Sequence, residues 1–117
     1  MERHSPEHSR SYWQSVKETV RSRIESADTH LITFFGKRLK EVQTMARAKL
    51  HLGEDTINES QRNIVYERFE RGFSRLGFQP GAGEKIARVV LEVFENEQRV
   101  ERARISGQRP KRKFFRM

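Results

Sequence analysis

The stretch RSYWQSVKETVRSRIESADTHLITFFGKRLKEVQTMARAKL, residues 10–50, decides the fold. From His8 to Leu52 the chain has no proline and a single glycine, Gly36. Trp13, Val16, Val20, Ile24, Ala27, Leu31, Phe34, Phe35, Leu39, Val42, Met45 and Ala46 recur three or four residues apart, the stripe of one amphipathic helix. At 1.5 Å of rise per residue such a helix is roughly 60 Å long. A compact monomer of this size has a radius of gyration of about 13–14 Å. The stripe therefore overshoots what the rest of the chain can cover. Its simplest cover is a second copy of the same chain, so the spacing predicts a homodimer sharing long helices.

Outward from that helix, residues 1–9 read as a flexible leader and His51–Ile57 as a loop marked by Gly53, Glu54 and Asp55. A second helix opens on a capping box at Thr56 with Glu59, or at Asn58 with Gln61. Its stripe is Ile64, Val65, Phe69, Phe73 and Leu76, and Gly77 reads as the glycine just past its end, with Phe78 making the accompanying contact. Pro80 is expected in the first turn of a third helix. Ile86, Val89, Val90, Val93, Phe94 and Val100 carry that helix to about Ile105, and Gly107 and Pro110 end it. The expectation is all-α: a three-helix protomer, long–short–medium, over residues 10–106, followed by a basic, disordered tail at 107–117.

Hydrophobic and charged residues each make up 34% of the 117 residues, so the core must be thin. The absence of cysteine excludes disulfides, thiolate metal sites and cysteine nucleophiles. His4 and His8 have the spacing of a helical metal pair, but Pro6 lies between them and no third ligand is near, so no metal site is expected. No apolar run approaches the ~18 residues of a membrane span, and the N-terminus lacks a signal-peptide core, so the expected compartment is the cytoplasm, without membrane contact. Five of the basic residues behind the net charge of +8 are Arg109, Lys111, Arg112, Lys113 and Arg116 in the tail. Such a tail either solubilises the chain or binds nucleic acid by counterion release, with Phe114 and Phe115 available to stack on bases. Gly81 and Gly83 follow no strand, which removes a nucleotide-binding glycine loop, and no carboxylate pair has glycosidase spacing.

What remains is a set of cations. Arg38 and Lys49 are eleven residues apart, within about 20° of one helical face and about 16 Å along it, so long side chains from both reach a common ligand. Arg21, seventeen residues before Arg38, sits some 25 Å away on another face by the same helical arithmetic. It can share that ligand only across an antiparallel dimer. Each of these cations also has a plainer explanation as a solvated helix-face charge. Gln98, a polar residue in an apolar stripe, is the more informative position, although a buried hydrogen bond would account for it.

The run Val20-Arg-Ser-Arg-Ile24, then Ala27-Asp28-x-x-Leu31-Ile32, then Arg38 and Lys49, with Glu92 and Gln98 in phase on helix three, resembles the all-α chorismate mutases. The likeness covers about two thirds of the chain, from Arg21 to Gln98, without a gap. It implies an intertwined homodimer, chorismate mutase type II-like, in which each active site takes one arginine from the other chain. By the resemblance, Arg21 is that arginine, Arg38 holds a substrate carboxylate, and Lys49 and Gln98 donate to the ether oxygen of the breaking bond. It implies chorismate-to-prephenate isomerisation, with no metal or cofactor, in the shikimate pathway toward the aromatic amino acids.

The chemistry suits those side chains. The substrate is a dianion that rearranges by an intramolecular Claisen shift, so catalysis reduces to folding one arm over the ring and stabilising charge on the ether oxygen. Arginines grip carboxylates through forked hydrogen bonds. Four positions depart from the family pattern. Where an acidic residue opens helix two and an Arg-Glu pair follows, this chain has Asn58, Gln61 and Arg62; where helix three often has a small hydroxyl residue, it has Phe94. Arg62 would exchange the acceptor of a ring hydroxyl for a donor. The alternatives are therefore a related enzyme on isochorismate or 4-amino-4-deoxychorismate, a non-catalytic binding protein of the same fold, or a nucleic-acid binder acting through the tail.

Overall fold

The structure, a computed structural model, describes residues 9–107. Among them are three helices and no strand: α1 (Arg10–Leu52), α2 (Glu59–Arg75) and α3 (Ala82–Ile105). The fold is all-α, as the periodicity predicts. His4, His8, Arg109, Pro110 and the Phe114–Phe115 pair lie outside the described residues. The chain divides into two units, residues 1–37 and 38–117, and α1 contributes to both.

In the first unit, Ser9 Oγ accepts from the Tyr12 amide at 3.2 Å and starts α1. Over residues 10–37 every side chain except Val16 and Phe35 is exposed. Ile24 is 56%, Leu31 52% and Phe34 61% exposed, so the apolar stripe is present but unburied within one chain.

In the second unit, residues 38–52 of α1 join α2 and α3. Its buried apolar side chains are Val42, Ala46, Val65, Ala87, Val90 and Phe94, a small core. The α2 C-terminus is closed by a Schellman motif. The Phe78 amide donates to Phe73 O at 3.1 Å and the Gly77 amide to Ser74 O at 3.0 Å. Gly77 makes this possible at φ 95°, which side chains disfavour. The Phe73 and Phe78 rings pack 4.7 Å apart, the predicted contact.

Several local expectations are corrected. Asn58 rather than Thr56 caps α2, its Oδ1 accepting from the Gln61 amide at 3.1 Å. Pro80 lies outside α3, whose cap is Gly81. That cap has no side chain, so the open amides are satisfied from α2: Glu70 accepts from the Gly81 and Glu84 amides at 2.8 and 2.9 Å. The buried face of α3 also differs. Ala87, Val90, Phe94, Gln98 and Glu101 point inward, while Ile86, Val89 and Val93 are exposed. Close approach of α2 and α3 is set at Gly83, near the start of this face. A Cβ on Gly83 would stand 2.5 Å from Phe69 O.

Candidate active site

The second unit contains a cleft of about 450 Å³ between the end of α1, the start of α2 and the middle of α3. That volume suits a small organic acid. Arg38 and Lys49 enter from α1, Asn58 from the cap that precedes α2, Gln61 and Arg62 from α2, and Phe94 and Gln98 from α3. Residues scattered over sixty positions of sequence thus meet around one space. Arg21, the remaining residue singled out from the sequence, belongs to the first unit and is not among those lining the cleft.

Arg38 lies over the Phe94 ring, 4.6 Å from its centroid, so the aromatic face holds the guanidinium plane. Phe94 is buried, which makes it both core residue and platform. Burial, and then the positive charge of Arg68, push the Arg38 pKa below its ordinary value. Lys49 Nζ donates to Thr56 O at 3.0 Å. This anchor fixes the ammonium against the loop after α1 and leaves two of its three protons for a ligand. Gln98 Oε1 is buried and has no hydrogen-bond partner among the described residues. A buried amide oxygen without a partner is uncommon, and this one belongs to a residue that lines the cleft. Either end of the amide can be turned inward by rotation of its terminal torsion.

Arg62 does not present the free donor that the sequence suggests. Its Nε and one terminal nitrogen donate to Glu95 Oε2 and Oε1 at 2.8 and 2.7 Å, and the other terminal nitrogen to Glu59 at 2.8 Å. The Glu95 hydrogen bond, foremost, raises the Arg62 pKa. Reciprocally, that hydrogen bond and the charges of Arg62, Arg99 and Lys49 hold Glu95 below the usual carboxylate range, against the opposing effect of burial. The arrangement therefore places a carboxylate of α3 in the cleft. Asn58 is committed as a helix cap and also accepts from Ser60 Oγ at 2.9 Å.

Three charged lining residues escape the sequence reading, Glu41, Arg68 and Glu95. For the latter two the signal was periodic. Arg68 follows Gln61 by seven residues and so returns to the same face of α2, and Glu95 precedes Gln98 by three. The cleft thus carries four cations (Arg38, Lys49, Arg62, Arg68) against two carboxylates (Glu41, Glu95), an excess that favours an anionic ligand.

No helix among the described residues is long and apolar enough to cross a membrane. No cluster of three or more histidine, aspartate or glutamate side chains among them is arranged to hold a metal ion. Comparison of the chain with family models, with curated proteins and with solved structures gave no match.

Proposed function

We propose that this chain is a chorismate mutase-like isomerase that works as a homodimer in the cytoplasm. The observation that carries the reading is the cation-rich cleft lined by Arg38, Lys49, Phe94 and Gln98, with a buried Gln98 amide oxygen without a partner among the described residues. Arg38 grips a substrate carboxylate, its plane held by Phe94. Lys49 and Gln98 donate to the ether oxygen, where negative charge grows as its bond to the ring lengthens. The C–O bond breaks and a C–C bond forms within one molecule, so no proton, electron or covalent enzyme intermediate is required. The ring hydroxyl donates to Glu95, which Arg62 keeps ionised.

The dimer in this reading covers the exposed stripe of Ile24, Leu31 and Phe34. It brings Arg21 of one chain to the cleft of the other, where it meets the second substrate carboxylate.

Glu95 also supports a second reading, because a carboxylate accepts from a ring amine as readily as from a hydroxyl. That keeps 4-amino-4-deoxychorismate beside chorismate as a substrate. The test is loss of chorismate absorbance on adding purified protein, with product identification. Prephenate supports the mutase, and pyruvate with salicylate from isochorismate supports the lyase relative. Absence of turnover on chorismate, isochorismate and 4-amino-4-deoxychorismate leaves a binding protein and rejects the enzyme.

A further inference from the structure

Some arginines of the second unit meet carboxylates: Arg47 and Arg104 with Glu101, Arg62 with Glu95, Arg88 with Glu84. Arg38 and Arg68 are not among them. Both line the cleft, one from α1 and one from α2, and neither forms an ion pair with a carboxylate among the described residues. Like charges at a partly desolvated site repel, and this repulsion is felt in the folded protein alone. The depressed Arg38 pKa, for which Arg68 is a named cause after burial, reports the same proximity. Phe94 covers one face of Arg38 and leaves the in-plane N–H groups as the route by which it can bind. Arg68 is the more exposed of the two and sits on the same α2 face as Gln61 and Val65.

We propose that Arg38 and Arg68 together form a two-armed seat for one carboxylate group of a small ligand, with Arg68 a binding residue. The identity of that ligand as chorismate or a relative rests on the mutase reading, whereas the carboxylate chemistry rests on the two guanidinium groups alone. A bound carboxylate removes their repulsion and gives each arm a charge-assisted hydrogen bond. The cleft then holds one carboxylate within a single protomer, and Arg21 of the other chain is left for the second.

The experiment follows the Arg38 and Arg68 Nε–H resonances of the full-length, 15N-labelled protein during titration with malonate and, separately, with chorismate. Both resonances are expected to shift with both probes. Arg68→Gln should weaken binding of each by about ten- to a hundredfold, the scale of a lost hydrogen bond to a charged group. Arg68→Lys, which keeps the charge but loses the fork, should fall between. Arg68→Gln should also raise the unfolding midpoint of the free protein, an effect that a purely structural arginine would not show. Shifts with malonate but not chorismate uphold the carboxylate seat and remove the mutase reading. Unchanged chorismate binding and turnover in Arg68→Gln overturn the seat and leave the mutase reading intact. Silence of both resonances with both probes also overturns it.

Discussion

Arg62 of α2 and Glu95 of α3 meet as a forked pair, 2.8 and 2.7 Å across its two hydrogen bonds. The pair ties the two helices together at the rim of the cleft and changes what a substitution there means. Arg62→Glu alone would bring a new carboxylate against Glu95 and Glu59, both of which now accept from Arg62. It should destabilise the protein in urea unfolding. The exchange Arg62→Glu with Glu95→Arg should recover most of that loss, since it keeps the pair and moves the carboxylate to α2. If the exchange is no more stable than Arg62→Glu alone, the pair does not couple the helices.

In the proposed mutase reading Lys49 and Gln98 are the donors to the ether oxygen. Lys49→Ala should lower turnover of chorismate by roughly two to three decades, about 3–4 kcal/mol of transition-state stabilisation. Gln98→Ala should have a similar or smaller effect. Helix content by circular dichroism should hold in both, because alanine favours helix. Retained turnover in both variants would remove the catalytic assignment.

The proposed sharing of Arg21 between chains predicts a sharp count. Arg21→Ala and Arg38→Ala should each be nearly inactive alone. Mixed one to one under exchange, half the dimers are hybrids and each hybrid has one intact site, so about one quarter of wild-type activity should return. Mixtures no more active than their parents would place Arg21 outside the site. Sedimentation of a folded monomer at micromolar concentration would exclude the dimer itself.

Two glycines make opposite predictions for the same substitution. Gly83→Ala drives a methyl into the backbone of Phe69, so α2 and α3 must part, at about 1–3 kcal/mol. Gly72→Ala meets nothing within 4 Å in the helical backbone of α2 and should stabilise by about 0.5–1 kcal/mol. Thermal unfolding of the two variants beside wild type reads both signs.

Three carboxylates set the response to acid. Glu70 is held below its ordinary 4.5 by the Gly81 and then the Glu84 amide, Glu95 by Arg62, and Glu101 by Arg104. Groups with a depressed folded pKa contribute stability that is fully present above the unfolded value and lost as pH falls through the folded one. Unfolding free energy from these groups should therefore be flat from pH 7 to about 5 and decline below about 4.5. Glu95→Gln or Glu101→Gln should make the decline shallower. An equal slope in these variants would show that other groups govern acid unfolding.

The helices were legible because their signals are local. Proline-free periodicity gave α1, and Gly77 with Phe78 gave the end of α2. The inward face of α3 was not, since hydropathy favours Ile86, Val89 and Val93 while the helices approach closely at Gly83 and bury Ala87. Seven of the nominated site residues line one cleft, among them Arg38, Lys49 and Gln98. Their periodicity fixed a face but not a partner. That is why Arg62 read as a free donor: Glu95, thirty-three residues away, leaves no trace in the spacing around it.

The corner between α2 and α3 is closed by short-range bonds: the Schellman turn spans Phe73 to Phe78, and Glu70 reaches Gly81 and Glu84. Little chain entropy is lost in closing so small a loop. The α2–α3 hairpin can therefore assemble early, as a nascent nucleus awaiting its third helix, whereas Arg38 and Lys49 must arrive by docking of α1. The complete cleft would then be the last feature the protein acquires as it folds, and the first it surrenders when α1 detaches.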